Sequence, residues 1–354
     1  MRSETSARAT TAACLAAAFA VTGLAMAASG LPARKALESR MAARAAGQAA
    51  TATGSRHRPA PSRPASRPAG DAAVNRPRDV GGARLAGGGI VVSGGALPLP
   101  AVPASAYVIA DARTGAVLAA KDPHGLFPPA STLKVLTAIT MLPRLRPGAM
   151  ITASGLAASV QPNIIGLIPG RRYRVADLFR ALLLISANDA AVALVQASGS
   201  YPAGIALLNA EAHHLRAYDV VARTPNGLPA PGQVVSAYDL ALIARQALAM
   251  PAFLRYDQTL AATFSGTRFG RVAMVNQNAL LTQYPGGIGG KIGWTARAGA
   301  TYIGMARRDG VTLIVTILHA VPLTEIHSAE QLLDWGFAMD GRVRPVGVLV
   351  PPLR

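Results

Sequence analysis

One cysteine in 354 residues, Cys14, excludes an internal disulfide framework and a cysteine metal site in this chain. Lysine is nearly as scarce: Lys35, Lys121, Lys134 and Lys291 stand against 31 arginines. Wherever positive charge alone is needed, arginine is present, and a guanidinium cannot lose its proton near neutral pH. A buried lysine can be brought down to act as a base, so Lys134 and Lys291 are the places to expect proton chemistry. Aromatic residues make up only 5% of the chain. None lies between Arg56 and Arg84, where arginines are spaced by Pro, Ala, Ser and Gly. That stretch has no rings on which to stack bases, which argues against nucleic acid as a partner despite a net charge of +18.

The charge divides unevenly for length: residues 1–100 carry 13 Lys+Arg against 4 Asp+Glu, and residues 101–354 carry 22 against 13. Arg2 and Arg8 precede an apolar stretch from Ala12 to Met26, with Ala25 and Ala27 at signal-peptidase spacing. We expect a signal peptide over 1–27, cleaved after Ala27, with an uncleaved anchor or a lipoprotein at Cys14 as alternatives. Residues 28–100 read as a disordered Pro/Ala/Arg-rich tether, able to make loose contact with an anionic cell wall or membrane surface. The protein is thus expected to be exported and extracytoplasmic. A folded domain is expected over 101–340, followed by a short tail over 341–354.

Within the domain, apolar runs at 106–110 and 116–119 flank Asp111-Ala112-Arg113-Thr114-Gly115, a hairpin signal. Phe127-Pro128-Pro129-Ala130 then leads into a helix beginning at or next to Ser131 and running to Met141. Helical periodicity at 175–184, 190–197, 204–215 and 236–249 predicts a mostly helical insertion over about 151–250. After Pro251 the pattern returns to strands: 300–307, an Asp309-Gly310 turn, and 311–318, with a closing helix over about 328–339.

Ser131 and Lys134 stand three apart, which on a helix puts both side chains on one face and lets the amine take the hydroxyl proton. Ser186-Ala187-Asn188 lies between two helical segments, placed to relay a proton and hold a substrate amide. Gly289-Gly290-Lys291-Ile292-Gly293-Trp294-Thr295 precedes the second strand pair; glycines around a lysine let a substrate backbone lie along the strand. Taken singly, these are also a helix cap, a pair of caps and a glycine-rich turn. Their order decides: S-x-x-K on a helix after a hairpin, S-x-N in a helical insertion, then K-x-G ahead of a hairpin and helix.

That ordered set resembles the serine penicillin-recognising enzymes, and in detail the D-alanyl-D-alanine carboxypeptidases of peptidase family S11. Supporting segments are Pro129–Lys134, Ser186–Ala191, Thr224-Pro225-Asn226-Gly227-Leu228, Ser236–Leu240 and Asn276–Leu281. The resemblance implies an α/β (α+β) fold of the β-lactamase/transpeptidase type, an antiparallel sheet flanked by helices, working without a cofactor or metal. It implies that Ser131 is acylated by the penultimate D-alanine of a peptidoglycan stem peptide, with Lys134 as base and Ser186 and Asn188 as relay and positioning groups. Lys291 would bind the terminal carboxylate, and Gly293, Trp294 and Thr295 would line the substrate strand, the backbone N–H groups of Ser131 and Trp294 forming the oxyanion hole. Penicillins, as mimics of the dipeptide, would acylate the same serine.

Two positions depart from the family pattern. Ile292 stands where a threonine is usual, removing one hydroxyl from the carboxylate site, and Thr295 is the residue expected to compensate. Gly227-Leu228-Pro229 stands where Gly-Leu-Asp is usual. The alternatives are a catalytically weakened penicillin- or peptidoglycan-binding protein and a β-lactamase. The latter lacks an aspartate at Ala187 and a deacylating glutamate in a loop, Glu211 falling in a helical pattern. No histidine carries a motif for a Ser-His-Asp hydrolase.

Overall fold

The computed structural model describes residues 80–354. The expected leader and the tether up to residue 79 lie outside the described residues. Both sequence-predicted strand pairs form. β1 spans Ile90–Val92, β2 Ala104–Asp111 and β3 Ala116–Lys121. After α1 (Leu133–Met141) come β4 (Met150–Thr152), α2 (Gly155–Ser159) and β5 (Arg172–Arg174). Then follow α3 (Val175–Leu184), α4 (Asn188–Gln196), α5 (Tyr201–His214), α6 (Ala237–Leu248) and α7 (Pro251–Asp257). The C-terminal part runs β6 (Ala261–Thr267), β7 (Gly270–Val275), α8 (Leu280–Gln283), β8 (Gly287–Thr295), β9 (Gly299–Arg308), β10 (Val311–Ala320), α9 (Glu325–Met339) and β11 (Gly347–Val348).

The principal sheet is antiparallel throughout, in the order β1-β3-β2-β10-β9-β8, with β11 also paired to β3. Its strands are buried on both faces, which is why β2, β9 and β10 read as nearly continuous apolar runs. Alternation assigns the two faces. Tyr107, Ile109, Tyr302, Leu313 and Val315 join Leu332, Leu333 and Trp335 of α9 in one core. Ala106, Val108, Ile303, Met305 and Ile314 join the helical part in the other. Every residue of α1 is buried, as expected of a helix surrounded on all sides by others.

Four expectations need correction. The boundary near residue 100 falls inside the fold: Ile90–Val92 pairs with β3, Leu85 is fully buried, and the Trp335 indole donates to Leu97 O at 3.0 Å. The tail over 341–354 is likewise part of the domain. Val348 O accepts from the Tyr238 hydroxyl at 2.7 Å, and Leu349 O accepts from Arg245 at 2.8 Å. These short segments satisfy backbone groups of the sheet edge without long apolar patterns, so periodicity alone does not reveal them. The insertion also carries the β4–β5 hairpin, and the helical block continues through α7, because proline at the first turn of a helix surrenders no internal hydrogen bond. Finally, β6–β7 forms a separate two-stranded hairpin that no alternation announced.

Candidate active site

A single 3₁₀ turn, Ala130–Thr132, delivers Ser131 to the N-terminus of α1. Ala130 is held at φ 47°, in the left-handed region a non-glycine residue rarely adopts. Neighbouring contacts over-determine that strained turn. Thr132 Oγ1 and Thr301 Oγ1 both donate to Pro129 O, at 2.6 and 2.9 Å. Gly227, at φ 79°, packs so close that a Cβ there would overlap the Ala130 carbonyl. The Asn226-Gly227 turn therefore fixes the approach to Ser131, and Thr137 Oγ1 anchors it by donating to Pro225 O at 2.6 Å.

Lys134 is the charge-bearing side chain of an otherwise apolar or hydroxyl-bearing helix and is fully buried. Its Nζ lies 2.8 Å from Ser131 Oγ, 2.7 Å from Asn188 Oδ1 and 2.9 Å from Asn226 O. Desolvation, then the nearby Lys291, hold its pKa well below the ordinary lysine value, against a smaller pull upward from Asp189. Asn188 Nδ2 donates to Gln161 O at 2.8 Å, which fixes the amide with its oxygen toward the lysine. A neutral amine has two N–H groups and one lone pair. Asn188 Oδ1 and Asn226 O can only accept, so they take both N–H groups, and the lone pair is left for the Ser131 hydroxyl.

The Ser186–Asn188 turn joins α3 to α4 as expected. Ser186 sits at φ 60° with its Oγ buried and without a hydrogen-bond partner, so a hydroxyl is held ready beside the lysine's neighbour Asn188. The next residue, Asp189, was not singled out by sequence reasoning. Its carboxylate accepts from the amides of Ile165, Gly166, Leu167 and Ala190 at 2.8–3.0 Å, pinning the 161–167 loop that supplies Gln161 O.

β8 is the edge strand, and its pleat sorts the third motif. Gly293 turns toward Ser131: a Cβ there would lie 2.7 Å from Ser131 N and 3.0 Å from Thr132 N. Lys291 shares that face, is 2% exposed, and donates to Ile292 O at 2.8 Å. Burial lowers its pKa to about 8, opposed by Asp257. Ile292 and Trp294 point the other way, against the α9 core, Ile292 opposite Tyr302. Thr295 is three residues from Ile292 and so lies on the other face of the strand, the one that Lys291 and Gly293 share. Its Oγ1 accepts from Ala298 N at 3.0 Å and shapes the β8–β9 turn.

The structure thus gathers Ser131, Lys134 and Asn188 by hydrogen bonds and lays Gly293 against them, with Lys291 close enough to Lys134 for charge repulsion. No histidine among the described residues is hydrogen-bonded to Ser131. His124, Asp219 and Asp239 bring one donor atom each within 4.8 Å of one another. Both nitrogens of His124 are engaged, Nδ1 with Asp219 Oδ2 at 2.9 Å and Nε2 with Val80 O at 3.1 Å, so the group reads as a hydrogen-bonded clasp on the segment entering the domain.

Comparison with known proteins agrees with this geometry. The family model of D-alanyl-D-alanine carboxypeptidases matches residues 95–321. The D-alanyl-D-alanine carboxypeptidase DacB2 of Mycobacterium tuberculosis is 38% identical over 252 residues, covering 70% of this chain and 86% of the relative. DacD of Salmonella typhimurium, a D-alanyl-D-alanine carboxypeptidase, is 33% identical over 253 residues, covering 67% of this chain and 63% of that longer protein. The crystal structure of a D-alanyl-D-alanine carboxypeptidase from M. tuberculosis superposes with a TM-score of 0.68 at 36% identity, over 74% of this chain and all of the other. A mutant of the Streptomyces K15 DD-transpeptidase gives 0.64 at 27% identity, over 68% and 99%.

Proposed function

The chain belongs to the D-alanyl-D-alanine carboxypeptidase family, peptidase S11, and on that premise we propose that it removes the terminal D-alanine of peptidoglycan stem peptides through an acyl-enzyme on Ser131. The observation that carries this is the buried Lys134 amine, its pKa held well below the ordinary lysine value, hydrogen-bonded to Asn188 Oδ1 and Asn226 O and lying 2.8 Å from Ser131 Oγ.

The amine takes the Ser131 proton as Oγ attacks the penultimate D-alanine carbonyl carbon. The N–H groups of Ser131, at the helix N-terminus, and of Trp294 stabilise the tetrahedral oxyanion. As that intermediate collapses, the proton passes from Lys134 by way of the Ser186 hydroxyl to the departing amine, and D-alanine leaves. Lys134 then draws a proton from water as the water oxygen attacks the ester carbonyl; the carbon–Oγ bond breaks, the proton passes from Lys134 to Ser131 Oγ, and the shortened peptide leaves as its acid. Lys291 holds the terminal carboxylate, and Asn188 holds the substrate amide. The same array opens a β-lactam ring on Ser131, where no leaving group departs.

The test is release of D-alanine from an acyl-D-Ala-D-Ala peptide together with labelling by a tagged penicillin. Both are expected in the wild type and neither in Ser131→Ala; release that survives in Ser131→Ala would sink the assignment. A second reading is favoured by Ile292, whose apolar side chain leaves no hydroxyl for the carboxylate: a penicillin- and peptide-binding protein of slow turnover. Labelling without D-alanine release distinguishes it.

The apolar leader and arginine-rich stretch support an exported protein working at the wall, its leader cleaved after Ala27. The mass of the N-terminus after secretion checks this. The basic residues 28–79 would add loose attraction to an anionic wall or membrane surface.

A further inference from the structure

Two lysines at this site are almost completely buried, and a buried ammonium needs a compensating charge. The carboxylate seated on the strand just before Lys291, near enough to act on its charge, is that of Asp257, the last residue of α7, 1% exposed. It accepts from Gly290 N at 2.8 Å, and it occupies the space where a Cβ on Gly289 would otherwise sit. Gly289 therefore has a specific use: it lets a carboxylate press against the strand backbone immediately before Lys291, an approach no residue with a side chain there would permit.

We propose that Asp257 is a positioning residue for carboxylate recognition: seated beneath Gly289-Gly290, it keeps the Lys291 ammonium charged and in place for the terminal carboxylate of the substrate. The inference rests on the role given to Lys291 above. The groups facing this pair are few. Lys134 of α1 repels Lys291. Tyr302 of β9 feels the Asp257 charge but donates its hydroxyl to Asn278 Oδ1 at 2.6 Å. Lys291 itself donates to Ile292 O. Burial raises the Asp257 pKa to about 7, with the Gly290 amide and Lys291 drawing it back down, and lowers that of Lys291 to about 8, with Asp257 opposing. Carboxylate binding is expected to be strongest where both are ionised.

The experiment compares kcat and KM from pH 6 to 10 for an acyl-D-Ala-D-Ala peptide and for its C-terminal amide. Asp257→Asn keeps an oxygen for Gly290 N and removes the charge. For the free acid, the alkaline limb of kcat/KM is expected to move down by about one pH unit and KM near pH 8 to rise about fivefold, with kcat within about twofold. The amide, which has no carboxylate to bind, is expected to be unaffected. Gly289→Ala, which displaces the carboxylate without removing it, should give a smaller shift of the same sign and carries the test should the asparagine variant fail to fold. Superimposable pH profiles, or equal losses on acid and amide, overturn the proposal. Wild-type indifference between acid and amide overturns the role of Lys291 itself, and the proposal with it.

Discussion

Replacing Ile292 by threonine is the perturbation whose outcome the structure constrains most. Position 292 lies on the edge strand, half-buried, opposite Tyr302 and next to the lysine that is to hold the substrate carboxylate. Threonine is β-branched like isoleucine and suits the strand, so the backbone that lays Gly293 against Ser131 should not move. The loss is a small apolar contact with the α9 core, about 1 kcal/mol of stability for a half-buried side chain. The gain is one hydroxyl beside the strand edge along which the substrate is proposed to lie, able to donate to its carboxylate from the face opposite Lys291, a charge-assisted bond of about 1.5–3 kcal/mol. Realised in the transition state, that corresponds to a rise in kcat/KM of roughly ten- to a hundredfold. Thr295 lies four residues along the strand from Lys291, and its Oγ1 is engaged with Ala298 N. The assay is D-alanine release from free-acid peptides, with melting temperature measured alongside. An increase below about twofold at unchanged fold would refute the reasoning and show that Lys291 alone suffices for the carboxylate.

Other perturbations probe the remaining parts. Lys134→Arg substitutes a side chain that cannot give up its proton, and acylation should slow by about 10²–10⁴-fold in a stopped-flow penicillin assay; a smaller loss would point to another base. Asp189→Ala leaves four backbone N–H groups of the 161–167 loop and α4 without their acceptor, which should cost about 3 kcal/mol or more and be visible as a lower midpoint in urea unfolding; an unchanged midpoint would mean the loop is held otherwise. Gly227→Ala forces a side chain into the Ala130 carbonyl at a positive φ. It should lower both the melting temperature and the acylation rate, since the same turn supports Ser131 and supplies Asn226 O to Lys134; normal acylation would show that the turn is not needed to position the nucleophile.

Much of the site is legible in the sequence because its chemistry needs rare residues in fixed order. A lysine at i+3 from a serine after two prolines gives Ser131 and Lys134, and the only other lysine with glycines on both sides gives Lys291. The helices at 175–184 and 236–249 and the β9–β10 pair declare themselves through periodicity and the Asp309-Gly310 turn. What stays hidden works through backbone. Asn226 reaches Lys134 by its carbonyl, which any residue carries, and only the quoted Asn226-Gly227 turn marks the place. Asp189 and Asp257 are carboxylates bonded to backbone amides far away in sequence, Ile165 and Gly290 among them, and no spacing rule connects such pairs. The paired glycines at 289 and 290 were the available signal for Asp257, since they announce a close approach without naming what approaches. β1 and β11 were missed because three- and two-residue strands carry no period at all.

Burial lowers the Lys134 pKa, and on the proposed mechanism this is what lets the amine activate Ser131. The pH dependence of acylation by benzylpenicillin, followed by intact mass and mapped by proteolysis, tests it. An adduct of the whole penicillin is expected on the peptide bearing Ser131 and absent from Ser131→Ala. The rate is expected to complete its rise with pH well below the ordinary lysine value of 10.5 and to fall through about pH 8 as Lys291 loses its charge. An adduct on any other residue, or a rate still climbing toward pH 10.5, would contradict it.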